Sequence, residues 1–215
     1  MDERLHSPSA ERNRAPIVAV LRDVLPARGT VLELASGTGE HVVHFAAEFP
    51  GLAFQPSDPD PAARASVAAW TAATGAANVR APLALDVSAP GWEGDPGIPR
   101  PAAAILCINM VHISPWAATL GLLRGAAALL AAGAPLYLYG AYRRGGRHTA
   151  PSNAAFDASL RRQNAAWGVR DLEAVVAEAE ARGLALAGTT EMPANNLSLV
   201  FRRRAGDQSS ASPGS

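Results

Sequence analysis

The chain has 215 residues, with 19 basic and 19 acidic side chains, so its formal net charge is zero. A chain of this length can bury a sizeable single core, and its balanced charge offers no broad basic field for a nucleic-acid backbone or an anionic membrane; we predict neither as a partner. The single Cys107 excludes an internal disulfide and any multi-cysteine metal site, and we predict no metal.

Helices and strands alternate through the first two thirds of the chain. Apolar residues recur at helical spacing over residues 10–25, which predicts an amphipathic opening helix. The predicted elements that follow are a strand at 30–34, a helix at 40–49, a strand at 52–57, a helix at 62–74, strands at 79–85 and 102–108, a helix at 115–132 and a strand at 135–139. Such alternation predicts a doubly wound α/β sheet.

The pattern changes after residue 139. Residues 141–170 are rich in Arg, Gly and Asn, with a short helix that we expect Ser152 to cap. A helix at 171–182 and two alternating strands at 184–190 and 196–202 follow, and these strands predict a closing antiparallel pair. We treat residues 1–204 as one domain and predict that the polar tail, 205–215, is disordered.

The segment 31–41 carries the most chemical information. An apolar strand with one carboxylate, Glu33, runs into a loop of small residues from Ala35 to Gly39 and then into a helix. Small residues let the backbone approach a ligand closely, and the start of the helix offers unpaired N–H groups. This arrangement predicts a nucleotide-type cofactor site at the first strand-to-helix crossover.

Three kinds of nucleotide loop need to be separated. A P-loop requires a lysine, and the chain has none. A dinucleotide fingerprint has a third glycine where this chain has Val42, which weakens that interpretation. The loop Glu/Asp-x-Gly-x-Gly-x-Gly of class I S-adenosylmethionine (SAM) methyltransferases is matched, with Ala35 in place of the first glycine. A buried Glu33 carboxylate is costly unless it is paired, and the ammonium of SAM would supply part of that pairing. The residues predicted to hold this part of SAM are Glu33, Ala35, Ser36, Gly37, Thr38 and Gly39.

Polar residues at the predicted strand ends extend this site, because ligands of open parallel sheets lie beyond the carboxyl ends of the strands. Asp58 follows Gly39 by nineteen positions, close to the spacing of about twenty for a ribose-binding acid. We predict that it accepts from both ribose hydroxyls, or else is an ordinary turn aspartate. We predict that Asp86 accepts from the adenine amino group, or else caps the next turn. Asn109 and Met110 end the fourth strand, and we expect Met110 to pack against adenine.

His112 lies one turn beyond the fourth strand and is the first candidate for acid–base work, since imidazole titrates near neutral pH. The alternative is a histidine that caps the next helix or positions substrate.

Several segments together resemble one known family over nearly the whole chain, from about Ser7 to Arg203. They include Pro-Ser-Ala-Glu-Arg-Asn-Arg at 8–14, the loop 33–41, Phe-Gln-Pro-Ser-Asp at 54–58, Cys-Ile-Asn-Met-Val-His-Ile at 107–113, Tyr-Gly-Ala-Tyr at 139–142, and the segments 152–157, 167–173 and 192–196. The family is a bacterial and eukaryotic domain of unknown function, classed with class I SAM-dependent methyltransferases and including a human methyltransferase-like protein.

This resemblance implies SAM as cofactor, S-adenosylhomocysteine (SAH) as product, and a Rossmann-like class I methyltransferase fold. That fold has a seven-stranded, mostly parallel sheet with an antiparallel last strand and helices on both faces. It also implies that residues 1–26 form a lid over the cofactor, with Asn13 facing it or lying in an ordinary solvated helix start. Many relatives have Gly-Pro-Tyr where this chain has Ala141, and Tyr142 is retained. The polar residues expected around the acceptor are His148, Asn153, Asp157, Arg170 and Asn195, unless they form a self-satisfied network that holds the loops.

We therefore expect a SAM-dependent methyltransferase that acts on an O or N atom of a small-molecule acceptor, with His112 or Tyr142 handling the proton. One alternative is a SAM-binding protein of this fold without methyl transfer, such as a sensor, a scaffold or a repurposed cyclase. A second is an NAD-linked reductase, which Val42 disfavours. The start of the chain lacks the apolar core of a signal peptide, and no apolar stretch reaches membrane-spanning length without Gly, Pro or charge. We expect a cytoplasmic monomer or homodimer.

Overall fold

The structure, a computed structural model, describes residues 3–205. The predicted disordered tail lies outside the described residues except for residue 205. The helices are α1 (Pro8–Val24), α2 (Glu40–Glu48), α3 (Pro61–Thr74), α4 (Trp116–Leu129), α5 (Pro151–Gln163) and α6 (Leu172–Glu180). The strands are β1 (Gly29–Leu34), β2 (Leu52–Ser57), β3 (Ala104–Ile108), β4 (Pro135–Gly140), β5 (Tyr142–Arg144), β6 (Arg147–His148), β7 (Arg170–Asp171), β8 (Leu184–Met192) and β9 (Asn196–Arg203).

The main sheet has six strands in the order β2-β1-β3-β4-β9-β8. The first four run parallel, β9 pairs antiparallel with β4, and β8 pairs antiparallel with β9. The predicted α/β sheet with its closing antiparallel pair is confirmed. In the parallel part, the carboxyl ends of β1, β2 and β3 meet at one edge, which is where the polar strand-end residues were expected to gather.

The predicted seven-stranded sheet is not confirmed, because the segment 79–85 does not form a strand. Its backbone pairs with β2 at two isolated bridges, Phe54 with Val79 and Ser57 with Leu83. Between them Pro56 has no N–H to donate. The side chain of Gln55 instead donates to the Ala81 carbonyl at 2.8 Å. The segment follows the edge of the sheet without a continuous ladder.

The loop after β4 also differs from expectation. It contains a small second sheet of β6, β5 and β7, for which the sequence pattern gave no strand. Helix α5 begins behind Ala150 with Pro151 in its first turn, so the prediction that Ser152 caps it is wrong. The fixed backbone angle of proline suits the first helical position. Ser152 lies within the helix, and its hydroxyl accepts a hydrogen bond from Asn195 at 3.2 Å.

Two apolar clusters cover the two faces of the sheet. Alternate residues of β1, β3 and β4 belong to opposite clusters, as Leu32 and Val31 do in β1. One cluster includes residues of α4 and α6, and the other includes residues of α1, α2 and α3. The predicted helices on both faces are confirmed. Within residues 3–205 no helix has both the length and the apolar character needed to cross a membrane.

Candidate functional site

Two adjoining cavities lie at the carboxyl ends of β1, β2 and β3. The first, which we call the glycine-loop cavity, has a volume of about 310 Å³ and is lined by Ser7, Ser9, Ala10, Glu33, Ala35, Ser36, Gly37, Thr38, His41, Ile108, Asn109, Met110 and Ile113. The second, the aspartate cavity, has a volume of about 360 Å³ and is lined by Ala35, Asp58, Pro59, Leu85, Asp86, Val87, Ser88, Met110, Ile113, Ser114, Pro115, Ala118 and Trp167. Ala35, Met110 and Ile113 belong to both walls, so the two cavities adjoin, and we refer to them together as the cleft.

The glycine loop has the backbone that its residues predict. Gly39 has φ +86° and a Cβ there would lie 2.8 Å from the Cα of Val67 in α3, so helix and loop meet too closely for a side chain. Gly37 has φ +54° and no atom lies within 4 Å of its Cβ position. The backbone at Gly37 therefore borders open space in the cleft, as a ligand-binding loop requires.

Ala35 occupies the first glycine position with φ +55°, in the left-handed region. That conformation costs a non-glycine residue about 1–2 kcal/mol. Ala35→Gly is therefore expected to raise the free energy of unfolding by about 0.5–1 kcal/mol, after the larger entropy of an unfolded glycine is deducted. Urea denaturation measures the change. Gly37→Ala, at φ +54° without a steric clash, is the matched control and should shift stability in the opposite direction; equal losses in both variants would contradict the strain at Ala35.

Glu33 is buried in β1 with 2% of its surface exposed, and its Oε2 has no hydrogen-bond partner among the described residues. Burial raises the pKa of Glu33 to about 7; the Ser36 hydrogen bond lowers it and the Asp58 charge raises it further. A buried carboxylate oxygen without a partner is costly, and a bound cation relieves that cost. The cavity wall at Glu33 is therefore suited to an ammonium group.

Asp58 ties the glycine loop to the end of β2. Its Oδ2 accepts from the Gly37 N–H at 2.9 Å, and its Oδ1 accepts from the Asp60 N–H at 3.0 Å. The carboxylate lines the aspartate cavity, where its remaining lone pairs are available to hydroxyl donors. Asp86 lines the same cavity and also makes the predicted alternative contact, because its Oδ1 accepts from the N–H and hydroxyl of Ser88 at 2.8 and 2.6 Å.

The end of β3 supplies the wall between the two cavities. Asn109 has φ +64°, and its N–H donates to the Tyr139 carbonyl at 2.8 Å. This sharp turn places Met110 on the walls of both cavities. The predicted positions of Asn109 and Met110 beside the cofactor thus agree with the geometry, and their contacts with a ligand stay predictions.

Asn13 does not line either cavity; it lies behind a residue that does. Its Oδ1 lies 2.7 Å from Nε2 of His41, which is part of the glycine-loop cavity. Sequence reasoning gave His41 no role. Its position, directly after the glycine loop in the first turn of α2, was the available signal.

The segment before α1 borders the glycine-loop cavity through Ser7. The Ser7 N–H donates to Oε2 of Glu40 at 2.6 Å, and the Leu5 N–H donates to the Ser66 hydroxyl at 2.8 Å. These bonds hold the segment against α2 and α3. The predicted lid position is consistent with this placement, while opening and closing stay a prediction.

His112 and Tyr142 line neither of the two cavities. His112 is 3% exposed, its ring meets Phe156 edge-on at 5.2 Å between centroids, and Nδ1 has no partner among the described residues. Burial lowers its pKa to about 4, and the charge of Arg170 lowers it further. Tyr142 is fully buried and burial raises the pKa of its phenol. Neither side chain is among the residues that line the cleft, and proton handling by either one stays a prediction.

Tyr142→Phe is expected to leave the free energy of unfolding unchanged or to raise it by about 1 kcal/mol, because the buried hydroxyl lacks a partner among the described residues. Thermal and urea denaturation measure the effect. The matched control is Tyr137→Phe, whose hydroxyl lies 2.6 Å from Oγ of Ser198 and whose loss should destabilise by about 1–2 kcal/mol. A clear loss of stability in Tyr142→Phe would show that the hydroxyl is satisfied after all.

The five polar residues predicted around the acceptor are held mainly by contacts within the protein. Asn153 donates to the Thr149 hydroxyl at 3.0 Å and to the Asn195 carbonyl at 2.9 Å. Arg170 donates to the carbonyls of Ser114 and Ala166, both at 2.7 Å. These contacts match the alternative of a network that holds long loops.

Asp157 shows the same behaviour within this group. It accepts from the Val169 N–H at 2.7 Å and from Arg161 at 3.2 Å, and His148 lies 3.5 Å away. Burial alone would raise the pKa of Asp157, but the Val169 and Arg161 hydrogen bonds outweigh it and the pKa is lowered. Asn195 lines a third cavity that shares no lining residue with the cleft. Substrate contacts of these five residues therefore stay predictions.

Comparisons with known proteins agree with the fold. A family model described as "Protein of unknown function (DUF938)" matches residues 4–203. An O-methyltransferase family protein from Burkholderia thailandensis is 19% identical with a TM-score of 0.77, and the match covers 92% of this chain and 58% of that chain. The mitomycin 7-O-methyltransferase MmcR is 16% identical with a TM-score of 0.75, covering 91% of this chain and 54% of that one.

A third structure, an O-methyltransferase family 2 protein from Planctomyces limnophilus in complex with apigenin, is 20% identical with a TM-score of 0.70. The match covers 94% of this chain and 64% of that one. The chain thus spans between 54% and 64% of the length of these three structures. At such low identity the likeness shows a shared α/β fold.

Proposed function

The chain belongs to the family of proteins of unknown function DUF938, and from that premise we propose that it is a SAM-dependent methyltransferase acting on an O or N atom of a small molecule. One observation carries the proposal: the buried Glu33 carboxylate, with an oxygen that has no described partner, lines a cleft bordered by the glycine loop and by two aspartates, Asp58 and Asp86. A ligand with a cationic group at one end and a nucleoside at the other would match that arrangement.

The residues present fit SAM part by part. Glu33 and the backbone of the loop from Gly37 to Gly39 would hold the methionine end in the glycine-loop cavity. Asp58 would accept from the ribose hydroxyls, and Asp86 with Met110 would border adenine in the aspartate cavity. The open space beside Gly37 leaves room for a ligand against the backbone.

When bound, SAM supplies a methyl group activated by a positive sulfonium. The protein's own contribution is to position the two reactants, which can lower a barrier by about 7–11 kcal/mol. Asp58 fixes the loop through the Gly37 N–H, and Met110 separates the two halves of the cleft, so both ends of the cofactor would be held. The apigenin bound to one structural neighbour supports a small-molecule acceptor.

A SAM-binding protein without methyl transfer is the second candidate function. It is favoured by one observation: His112 and Tyr142, the residues expected to handle a proton, line neither cavity. An NAD-linked reductase is less well supported, because Val42 is fully buried where a dinucleotide fingerprint has its third glycine.

Calorimetry with SAM, SAH and NADH, followed by a screen of hydroxyl, amine and carboxylate acceptors for SAH release, tests the proposal. We expect SAM and SAH to bind with one site per chain, no NADH binding, and turnover on at least one acceptor. Tight SAH binding without turnover on any acceptor would favour the second candidate. Binding of NADH without SAH would overturn the assignment of the cofactor.

A further inference from the structure

His41 is a titratable side chain in the cleft that the proposed cofactor contacts do not use. Among the residues that line the glycine-loop cavity, Glu33 and His41 are the two with ionisable side chains. Glu33 is assigned to the methionine end of SAM. His41 comes from α2 and lines the cavity together with Ser7, Ser9 and Ala10.

The His41 ring is held rigidly by its surroundings. Nε2 lies 2.7 Å from Oδ1 of Asn13, and the ring lies nearly parallel to Phe45, with 5.6 Å between centroids and 26° between planes. Asn13 is itself buried and belongs to α1. The buried amide of Asn13 therefore satisfies Nε2 of His41 and fixes the orientation of the ring.

The contact with Asn13 decides which ring nitrogen of His41 carries the proton. An amide oxygen can only accept a hydrogen bond, so Oδ1 of Asn13, 2.7 Å away, accepts the Nε2 proton. In this tautomer Nδ1 of His41 carries the lone pair.

We propose that His41 is the catalytic residue that takes the proton of a hydroxyl acceptor, and that Asn13 is the positioning residue that sets its tautomer. This inference rests on the proposed methyltransferase function. As the new O–C bond forms, the S–C bond of the methyl donor breaks and sulfur keeps that electron pair. The acceptor O–H proton passes to Nδ1, and the imidazolium then releases it to water, so charge and atoms balance.

The neutral state of His41 favours a hydroxyl over an amine. Burial lowers the pKa of His41 to about 4, and the charges of His44 and Arg14 lower it further. So weak a base takes a proton only from a strong acid, and a hydroxyl becomes one while its oxygen is being methylated. A methylated amine holds its proton too firmly for this imidazole.

The first test is the tautomer, which needs no acceptor. The full chain, labelled with ¹⁵N-histidine and saturated with SAH, should show His41 protonated at Nε2 and not at Nδ1 between pH 6 and 8. Asn13→Ala should abolish this preference and Asn13→Asp should restore it, because the aspartate keeps the accepting oxygen. Protonation at Nδ1, or a tautomer that Asn13→Ala leaves unchanged, would overturn the inference.

The second test is turnover on a hydroxyl acceptor found in the screen. His41→Ala should lower kcat by at least about 100-fold while the SAH Kd stays within about twofold. The matched control is His44→Asn on the same helix, which should keep wild-type kcat. Retained turnover in His41→Ala, a loss confined to His112→Ala, or turnover of amines alone would contradict the assignment.

Failure of this inference can be told apart from failure of the proposed function. If wild-type protein does not bind SAH in calorimetry, the proposed function fails, and the catalytic role of His41 fails with it. If SAH binds and hydroxyl acceptors turn over without His41, the function stands and only the inference is lost. SAH binding without any turnover contradicts both the methyl transfer and the catalytic role.

Discussion

Replacing Asp58 with alanine is expected to weaken SAH binding by at least about 100-fold. The side chain would lose its contacts with the ribose hydroxyls and also release the N–H groups of Gly37 and Asp60 that it now accepts from at 2.9 and 3.0 Å. Hydrogen bonds to a charged group contribute about 1.5–3 kcal/mol each, and each 1.4 kcal/mol changes a Kd about tenfold. Isothermal titration calorimetry at fixed pH and salt measures the change.

The neighbouring Asp60 provides the control for this experiment. It caps α3 by accepting from the Ala62 N–H at 2.9 Å, so Asp60→Ala should cost about 1 kcal/mol of stability and leave SAH affinity nearly unchanged. Asp58→Asn separates charge from shape, because an amide has one accepting oxygen for two backbone N–H groups. SAH affinity within twofold of wild type in Asp58→Ala would refute the ribose assignment.

The elements of the parallel sheet could be predicted because each is encoded locally. The apolar runs of β1 to β4 each end at a turn or polar residue, and the predicted strand 52–57 has the bounds of β2. The prediction of a strand at 79–85 was wrong for a reason that lies outside this segment. Whether it pairs depends on the N–H groups of β2, and Pro56 lacks one. Periodicity within a segment carries no information about the donors of its partner.

The placement of the residues predicted to hold the cofactor followed from the order of strands. Glu33, Asp58 and Met110 line the cleft because the carboxyl ends of parallel strands share one edge, whatever the details of packing. The placement of His112 and Tyr142 outside this lining did not follow, and their predicted role in proton handling stays a prediction. His112 comes after β3 as expected, but the short turn Met110–His112 directs its ring inward, where it packs beside Gly140. Loop direction depends on tertiary contacts that the strand pattern does not encode.

The contact between His41 and Asn13 also depends on tertiary packing that the sequence pattern does not encode. They are 28 positions apart, on two helices whose relative placement depends on how both pack against the sheet. A histidine in the first turn of a helix and an asparagine in another each look ordinary in sequence. Only their contact in the folded chain gives them a joint role.

Glu33→Gln is expected to raise the stability of the ligand-free protein and to weaken SAH binding at the same time. Burial, opposed by the Ser36 hydrogen bond, raises the folded-state pKa of Glu33 to about 7 from 4.5. Between these values the unfolded chain has released its proton while the folded chain has not, so wild-type stability falls as pH rises. Glutamine does not titrate, and its advantage should grow from pH 4.5 to 7 and reach about 3 kcal/mol at pH 8. Urea denaturation across this pH range measures it.

The control for stability is Glu40→Gln. Glu40 is also buried, but its Oε2 accepts from the Ser7 N–H at 2.6 Å and from the Thr38 hydroxyl at 3.0 Å, so its replacement should destabilise the protein. A Glu33→Gln variant that is less stable than wild type at pH 8 would show that the carboxylate has a partner in the ligand-free fold.

The ligand half of the experiment compares SAH with 5′-methylthioadenosine, which lacks the amino-acid end. Glu33→Gln should weaken SAH binding by about 10- to 100-fold, the loss of one charge-assisted contact, and leave 5′-methylthioadenosine binding unchanged. Equal losses for both ligands would place Glu33 away from the ammonium. A gain in stability combined with a loss confined to the ligand that carries an ammonium has one physical explanation. The buried Glu33 carboxylate destabilises the ligand-free protein because it has no cationic partner there. It gains that partner only when a cation enters the cleft.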